Sequence, residues 1–167
     1  SDKKLNFGLF EWIDGKQINK ITDDHINHAV EFVTSLAKLS KHTSFDEFKL
    51  ASAACISGQM IEDQIRNRYK KLYGLLDANS ELNSFLENRF HRAFEEILSK
   101  SKKLWPGKFK TRLTNNRQLL SPSDFGFHNM LLTNEGLKFI DFEYFGWDDP
   151  VKLTCDFMLH PGMVLTD

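Results

Sequence analysis

Helical periodicity over the first two thirds of the chain constrains the fold most. Between residues 23 and 40, apolar residues recur at the spacing of one helix face: Ile26, Ala29, Val30, Val33 and Ala37. The preceding Thr22-Asp23-Asp24 supplies an N-cap and an acidic first turn. Similar spacing predicts helices over residues 57–76 and 80–103, and Trp105-Pro106-Gly107 ends the last of them. The sequence therefore predicts three consecutive amphipathic helices.

Short apolar runs replace the helical spacing near the end of the chain. Residues 130–133 and 137–140 are separated by Asn134-Glu135-Gly136, whose glycine can adopt the left-handed conformation of a three-residue hairpin loop. Near the start, residues 9–13 alternate loosely and precede the turn pair Asp14-Gly15, which predicts a short strand and a turn. A strand, three helices and a β-hairpin together predict an α+β fold that is mainly helical.

Length and charge exclude several classes of protein. The chain has 167 residues, which is enough for one domain with its own core. Its net charge is −1 with acids and bases interspersed, so nothing electrostatic favours nucleic acid or a membrane surface as a partner. No apolar run approaches the roughly 20 residues of a membrane span, and we expect a cytoplasmic protein. Cys55 and Cys155 form no metal or disulfide pattern and are predicted to be buried thiols.

Polar residues flank the predicted hairpin on both sides. Asp124 and Asn129 precede it, and Asp141 and Glu143 follow it. Because a hairpin brings its two ends together, Asn129 and Asp141 should lie close, with Asp124 on the loop beside them. Carboxylate and amide oxygens suit Mg²⁺, and an aspartate near the ion could accept a proton from a substrate hydroxyl. The sequence therefore predicts a magnesium site beside a general base.

These motifs are similar to those of a known family. The D-x-x-x-x-N spacing of Asp124 and Asn129, followed by a hairpin and Ile140-Asp141-Phe142-Glu143, resembles the catalytic loop and metal motif of aminoglycoside phosphotransferases and choline kinases. Residues 143–150, E-Y-F-G-W-D-D-P, resemble the family's E-Y-x-G-W-x-D-P. Residues 10–15 resemble, more loosely, the hinge strand between the two lobes of these kinases. The catalytic-loop and metal motifs carry the specific part of the resemblance.

The resemblance implies a domain division and a reaction. Residues 1–16 would form a hinge or linker, and residues 17–167 the C-lobe of a kinase-like fold, with the N-lobe absent and the C-terminal helices truncated. The full protein would transfer the γ-phosphoryl of ATP to a hydroxyl of a small molecule of the aminoglycoside, amino alcohol or sugar type. Glu11 and Ile13 match hinge positions whose backbone groups would bind adenine. Without an N-lobe, the chain alone is expected to be inactive.

The resemblance also implies roles for the residues around the hairpin. Asp124 matches the catalytic aspartate that orients the acceptor hydroxyl and takes its proton. Asn129 and Asp141 match the two Mg²⁺ ligands, and Glu143 would support the metal or the substrate. The expected cofactor is Mg²⁺, with ATP as co-substrate, and the expected partner is a small hydroxyl-bearing acceptor.

One departure from the family pattern leaves alternatives open. Pro122 stands where the family usually has a histidine that braces the loop. This substitution favours a first alternative, a catalytically inactive pseudokinase that binds a nucleotide or metabolite. A second alternative is a metal-dependent hydrolase that uses the same carboxylates.

Three further polar residues near the motifs have more than one interpretation. Asp148 and Asp149 either indicate a cationic acceptor or form a turn before a helix that starts at Pro150. His128 lies beside Asn129, and we predict that it is packed or solvated rather than an acid–base group.

Overall fold

A mixed α+β architecture, mainly helical, is present as the sequence predicts. The structure, a computed structural model, describes residues 9, 11–73 and 80–160. The helices in this part of the chain are α1 (Asp23–Ser40), α2 (Gly58–Tyr73), α3 (Ser80–Phe85), α4 (His91–Leu104) and α5 (Pro150–Leu159). The strands are β1 (Lys16–Gln17), β2 (Leu119–Ser121), β3 (Met130–Thr133), β4 (Gly136–Phe139) and β5 (Gly146–Asp148). None of the helices in these ranges combines the length and apolarity needed to cross a membrane.

The predicted helices are confirmed where the structure describes them. Helix α1 covers the predicted residues, and the Thr22 hydroxyl caps it by accepting the His25 N–H at 3.4 Å. Helix α2 ends at Tyr73, and residues 74–76 of the predicted helix lie outside the described residues. The third predicted helix is interrupted by a π-helical turn, Leu86–Phe90, between α3 and α4. Helical spacing therefore located these elements, but it did not reveal the π-helical turn.

The predicted β-hairpin is confirmed and forms part of a three-stranded antiparallel sheet, in the order β1-β3-β4. Thr133 pairs with Gly136, so the loop contains Asn134 and Glu135 and is one residue shorter than predicted. Gly136 has a φ of 107°, a conformation that favours glycine. A second antiparallel sheet pairs β2 with β5. The two sheets hold the segments that precede and follow the predicted site residues.

The predicted N-terminal strand is wrong in its position. Residues 9 and 11–15 form no strand or turn, and Phe10 lies outside the described residues. Strand β1 lies further along the chain, opposite Leu131 and Leu132. Gly15 allows this approach, because a Cβ there would lie 2.9 Å from Leu131 Cβ. A strand needs a partner ladder, and only the residues after Gly15 reach one in the described part of the chain.

Aromatic residues from the loop of the predicted catalytic residues anchor that loop in the core. The buried cluster contains Ala29, Leu119, Phe125, Phe127, Met130 and Leu153. Phe32 of α1 stacks on Phe125 at 5.5 Å and on Phe139 of β4 at 4.0 Å, measured between ring centroids. Phe157 of α5 lies 5.2 Å from Phe125. Helices α1 and α5, the hairpin and the loop therefore share one core, which limits the movement of the loop.

A buried carboxylate joins helices α2 and α4 away from this core. The Glu62 carboxylate accepts hydrogen bonds from Arg66 Nε at 2.9 Å and from Lys102 Nζ at 2.8 Å, and its side chain is 8% exposed. Arg66 also contacts Glu95 at 2.8 Å. The hydrogen bond from Lys102 holds the pKa of Glu62 below its ordinary value of 4.5, against the opposing effect of burial and with help from Arg66. The ionised form of Glu62 is therefore the form that stabilises the fold.

We expect Glu62→Gln to lower the free energy of unfolding at neutral pH by about 1–3 kcal/mol, because hydrogen bonds to charged groups contribute that much. The folded-state pKa lies below the unfolded value, so this contribution is present above about pH 4.5 and is lost as the pH falls through the lowered pKa. Urea unfolding at neutral and acidic pH measures this effect. The difference in the free energy of unfolding between wild type and variant should become smaller in acid.

A matched control for this stability measurement lies on the same helix pair. Glu96 of α4 pairs with Lys100 at 2.7 Å, but its side chain is 62% exposed. Glu96→Gln should leave the unfolding curve unchanged, because exposed pairs contribute little. An equal loss of unfolding free energy in both variants would contradict the role assigned to Glu62. A difference between wild type and Glu62→Gln that does not change with pH would contradict it as well.

Candidate active site

The loop after β2 alternates buried aromatic residues with accessible polar ones. Phe125 and Phe127 are buried in the core, whereas the Asp124 side chain is 46% exposed. His128 and Asn129 are half-buried at the loop surface. The aromatic anchors therefore present the polar side chains of the same loop on its outer side.

The side chain of Asn129 is oriented by Asp124. Its Nδ2 donates to the backbone carbonyl oxygen of Asp124 at 2.8 Å and to Asp124 Oδ2 at 3.3 Å. The amide oxygen of Asn129 is consequently directed away from Asp124 and accepts no hydrogen bond from the described residues. This arrangement leaves a hard oxygen donor beside the Asp124 carboxylate, as a magnesium ligand requires.

Asn129 precedes the first strand of the hairpin, and Asp141 follows the second strand, at the same end of the hairpin. The Ile140 N–H donates to the Asn129 carbonyl oxygen at 3.0 Å, so the hairpin ladder extends to Asn129 and is followed at once by Asp141. The side chain of Asp141 is exposed and accepts no hydrogen bond from the part of the chain that the structure describes. The oxygens of Asn129 and Asp141 therefore fit the donor set that Mg²⁺ prefers.

Left-handed backbone occurs at both ends of this site. Ser123 has a φ of 72° and Asp141 a φ of 65°, and they are the only non-glycine residues with positive φ in the described ranges. Ser123 directly precedes Asp124, whose N–H donates to the Pro122 carbonyl oxygen at 3.0 Å. Strained backbone conformations concentrate at functional sites, where the surrounding structure maintains them. Here they occur at Asp141 and at the residue before Asp124, and the sequence predicts both Asp124 and Asp141 to be functional.

Three of the predicted site residues, Glu143, Asp141 and Asp124, affect the pKa of Tyr144. Its hydrogen bond with the Glu143 carboxylate raises the pKa of Tyr144 above its ordinary value of 10.0, and the charges of Asp141 and Asp124 add to the effect. Glu143 lies in the turn between β4 and β5, where it hydrogen-bonds Tyr144, and its predicted support of the metal or the substrate stays a prediction.

A cavity of about 560 Å³ opens beside Asp124, which is within the size range of small-molecule sites. Its wall combines residues of α2, the 52–53 segment, the Asp124 loop, Tyr144 and α5. The polar and charged residues that line it are Ser52, Gln64, Arg68, Ser123, Asp124, Tyr144, Lys152, Asp156 and His160. Neither Asn129 nor Asp141 lines this cavity, so Asp124 is the predicted site residue that faces it.

Two histidines contact the Asp124 carboxylate. His128 Nε2 lies 3.3 Å and His160 Nε2 3.8 Å from Asp124 Oδ1, and the two rings stack with centroids 4.4 Å apart. The ligand atoms of these three residues all lie within 4.8 Å of one another. His128 is therefore not simply a packed or solvated residue, as the sequence predicted, because it contacts the candidate catalytic carboxylate.

The Asp148-Asp149 pair has a structural role. Asp148 is fully buried, and its Oδ1 accepts the N–H groups of Cys55 at 3.0 Å and Asp149 at 2.8 Å. Asp149 caps α5 by accepting the Val151 N–H at 2.8 Å, and Pro150 is the first residue of that helix, as predicted. Of the two interpretations of this acidic pair, the structure supports the turn before a helix.

Lys152 is the cation that faces the buried Asp148. Its Nζ lies 3.5 Å from Asp148 Oδ2 and also contacts Asp156. Burial alone would lower the pKa of Lys152, but the hydrogen bond with Asp156 and the charge of Asp148 together raise it. Lys152 is therefore charged and already neutralised by two carboxylates of the protein.

Three other predictions concern the edges of the site. Cys55 is buried as predicted, but Cys155 is exposed and lines the cavity, because it occupies the outer face of α5. Glu11 is exposed and Ile13 half-buried in the unpaired segment before β1, and neither lines the cavity. Their predicted contact with adenine stays a prediction.

The sequence alone did not identify several residues of the cavity. His160 and Arg68 are remote in sequence from the motif, and no spacing relates them to Asp124. Tyr144 lies within the motif at residues 143–150, but its place in the cavity lining was not predicted. His128 is the exception. It lies only four residues after Asp124, and this short separation could have indicated a contact between the two side chains.

Comparisons with known proteins identify no family for this chain. No protein-family model matches the sequence. No curated protein matches it, and no solved structure matches it. The resemblance to kinases therefore rests on the sequence motifs and stays a prediction.

Proposed function

We propose that this chain forms the catalytic C-lobe of a small-molecule kinase, which transfers the γ-phosphoryl of ATP to a hydroxyl of a small molecule. One observation carries the proposal. The Asp124 carboxylate lines a cavity of small-molecule size and accepts a hydrogen bond from Asn129 Nδ2, and Asp141 directly follows the residue that pairs with Asn129 across the hairpin. A phosphotransferase needs these two neighbours around its catalytic aspartate, an acceptor pocket and a magnesium–nucleotide site.

In the proposed reaction, Asp124 hydrogen-bonds the acceptor hydroxyl in the cavity and accepts its proton. The new oxygen–phosphorus bond forms as the bond from the γ-phosphorus to the bridging oxygen breaks and ADP leaves. Asn129 orients Asp124 through Nδ2 and would hold Mg²⁺ together with Asp141. When bound, Mg²⁺ neutralises charge on the phosphates of ATP. Glu143 supports the site through Tyr144, and backbone groups at Glu11 and Ile13 would bind adenine. Positioning and electrostatics thus account for the catalysis.

Pro122 has a role that is compatible with activity. It is buried, and its carbonyl oxygen accepts the Asp124 N–H at 3.0 Å. The stacked rings of His128, in the same loop, and His160, after α5, contact the Asp124 carboxylate. We infer that these contacts supply the bracing that a histidine at position 122 provides in the family that the motifs resemble.

The test is an acceptor screen with the intact protein and Mg-ATP. Amino alcohols, sugars and aminoglycosides are incubated separately, and ADP and phosphorylated acceptor are quantified by mass spectrometry. We expect equal amounts of the two products with at least one acceptor class. Binding of Mg-ATP without its consumption across the screen would support the pseudokinase alternative instead.

A metal-dependent hydrolase is the second candidate, because Asp124, His128 and His160 place ligand atoms within 4.8 Å of one another. Two histidines and a carboxylate form a donor set that suits zinc. This candidate predicts Zn²⁺-dependent release of phosphate from monoesters without ATP, and a loss of that activity in His160→Ala. The kinase proposal predicts that ATP is required and that phosphate appears on the acceptor.

A further inference from the structure

Four charged residues line the cavity: Arg68, Asp124, Lys152 and Asp156. They differ in whether another charged residue of the protein pairs with them. Lys152 contacts Asp156 and lies 3.5 Å from Asp148, and its side chain is only 12% exposed. Arg68 of α2 is exposed and has no carboxylate within salt-bridge distance among the described residues. The cavity therefore contains one cation, Arg68, whose charge no acidic residue of the described chain neutralises.

Arg68 borders two cavities. It lines the cavity beside Asp124 together with Gln64, and the same two residues also line a neighbouring cavity that includes Cys55. Arg68 itself is exposed, so its guanidinium is accessible to a ligand in the cavity beside Asp124.

We propose that Arg68 binds an anionic group of the acceptor, a carboxylate or a phosphate, while Asp124 holds the acceptor hydroxyl. This proposal deepens the kinase function and rests on it. The guanidinium carries a planar fork of N–H donors that matches carboxylate and phosphate oxygens. Ser52 and Gln64 add neutral polar groups to the same wall, which suits a polyhydroxylated skeleton. The substrate class is therefore a hydroxy acid or a sugar phosphate.

A cationic acceptor finds fewer partners in the same cavity. Asp148 is fully buried and Asp149 caps α5, so neither is available to a ligand. Asp156 is bound to Lys152. Asp124 is the remaining carboxylate of the lining, and the proposed reaction uses it for the hydroxyl. Charge complementarity thus favours an anionic acceptor over an amino alcohol or an aminoglycoside.

The test compares acceptors of one size that differ in charge. Glucose, gluconate, glucose 6-phosphate and glucosamine are assayed with the intact protein and Mg-ATP. We expect kcat/KM for gluconate or glucose 6-phosphate to exceed that for glucose and glucosamine by at least about tenfold, the effect of one charged hydrogen bond. The two anionic sugars distinguish a carboxylate from a phosphate as the recognised group.

Variants of Arg68 test whether the guanidinium causes the expected preference for anionic acceptors. Arg68→Gln should lower kcat/KM for the preferred anionic acceptor by about tenfold to a hundredfold and leave the value for glucose unchanged. Arg68→Lys should retain part of the preference, because it keeps the charge but not the fork. Arg112→Gln is the matched control, since Arg112 is exposed and lies outside the cavity lining.

Calorimetric binding of the same sugars without ATP separates this proposal from the proposed function. If no sugar is phosphorylated but gluconate or glucose 6-phosphate binds and Arg68→Gln removes the binding, the anion subsite stands and the kinase function fails. If glucosamine or glucose is the best acceptor and Arg68→Gln has no effect, the kinase function stands and the subsite is overturned. An absence of anionic-sugar binding in wild type also overturns the subsite.

Discussion

Asp124→Asn should reduce turnover by about 10²- to 10⁴-fold, the contribution of a positioned general base. Asparagine keeps the shape of the side chain, and its Oδ1 can accept the hydrogen bond that Asn129 Nδ2 donates to Asp124 at 3.3 Å. It cannot accept a proton from the acceptor hydroxyl. The loss should therefore appear in kcat for phosphorylated acceptor, with the KM for ATP little changed.

Two controls make this result specific. Asp46→Asn changes an exposed aspartate of the short turn before α2, outside the cavity, and should retain full activity. Thermal unfolding of Asp124→Asn should resemble wild type, because the Asp124 side chain is 46% exposed and makes no core contact. Full turnover in Asp124→Asn would rule out Asp124 as the catalytic base.

Asp141→Asn should lower turnover by on the order of a hundredfold, as the removal of one charge-stabilising group does elsewhere. The variant removes a negative charge from the proposed magnesium position, so the Mg²⁺ concentration needed for half-maximal activity should rise. Excess Mg²⁺ should restore part of the activity. Titration of activity against Mg²⁺ at saturating ATP measures both effects.

The backbone at Asp141 determines which substitutions are informative. Its φ of 65° is tolerated by asparagine and glycine, whereas alanine there would cost about 1–2 kcal/mol. Asp141→Gly should therefore fold as well as Asp141→Asn and be equally impaired, and Asp141→Ala should lose stability as well as activity. An unchanged Mg²⁺ requirement in the asparagine and glycine variants would contradict a ligand role for Asp141.

Local signals predicted the elements and the loop that carry the candidate site. The periodicity and the Thr22 cap located α1, and the positive φ of Gly136 is the conformation that the hairpin prediction required. The spacing of Asp124 and Asn129 predicted that they share one loop, where Asn129 Nδ2 donates to Asp124, and their catalytic and metal-binding roles stay predictions. These features depend on residues close together in the chain, so the sequence is sufficient to predict them.

Other features depended on partners that are distant in sequence. Strand β1 formed where Gly15 allows the chain to approach Leu131, and not at the alternating residues before it. The sequence left two interpretations of the acidic pair at 148–149 open, and the choice between them depends on β5, which carries Asp148 into a buried position against Cys55. Neither the partner of a strand nor the burial of a carboxylate is encoded in local spacing.

The sequence by itself determined the helical order, the hairpin and the polar loop around Asp124, because propensity, periodicity and short-range hydrogen bonds act within a few residues. Only the tertiary structure decided what surrounds Asp124. Packing of α1, α5 and the hairpin on one aromatic core brings His160 to the Asp124 carboxylate, and α2 places Arg68 in the wall of the same cavity. Long-range packing thus forms the cavity and sets its charge, and the proposed acceptor class follows from both.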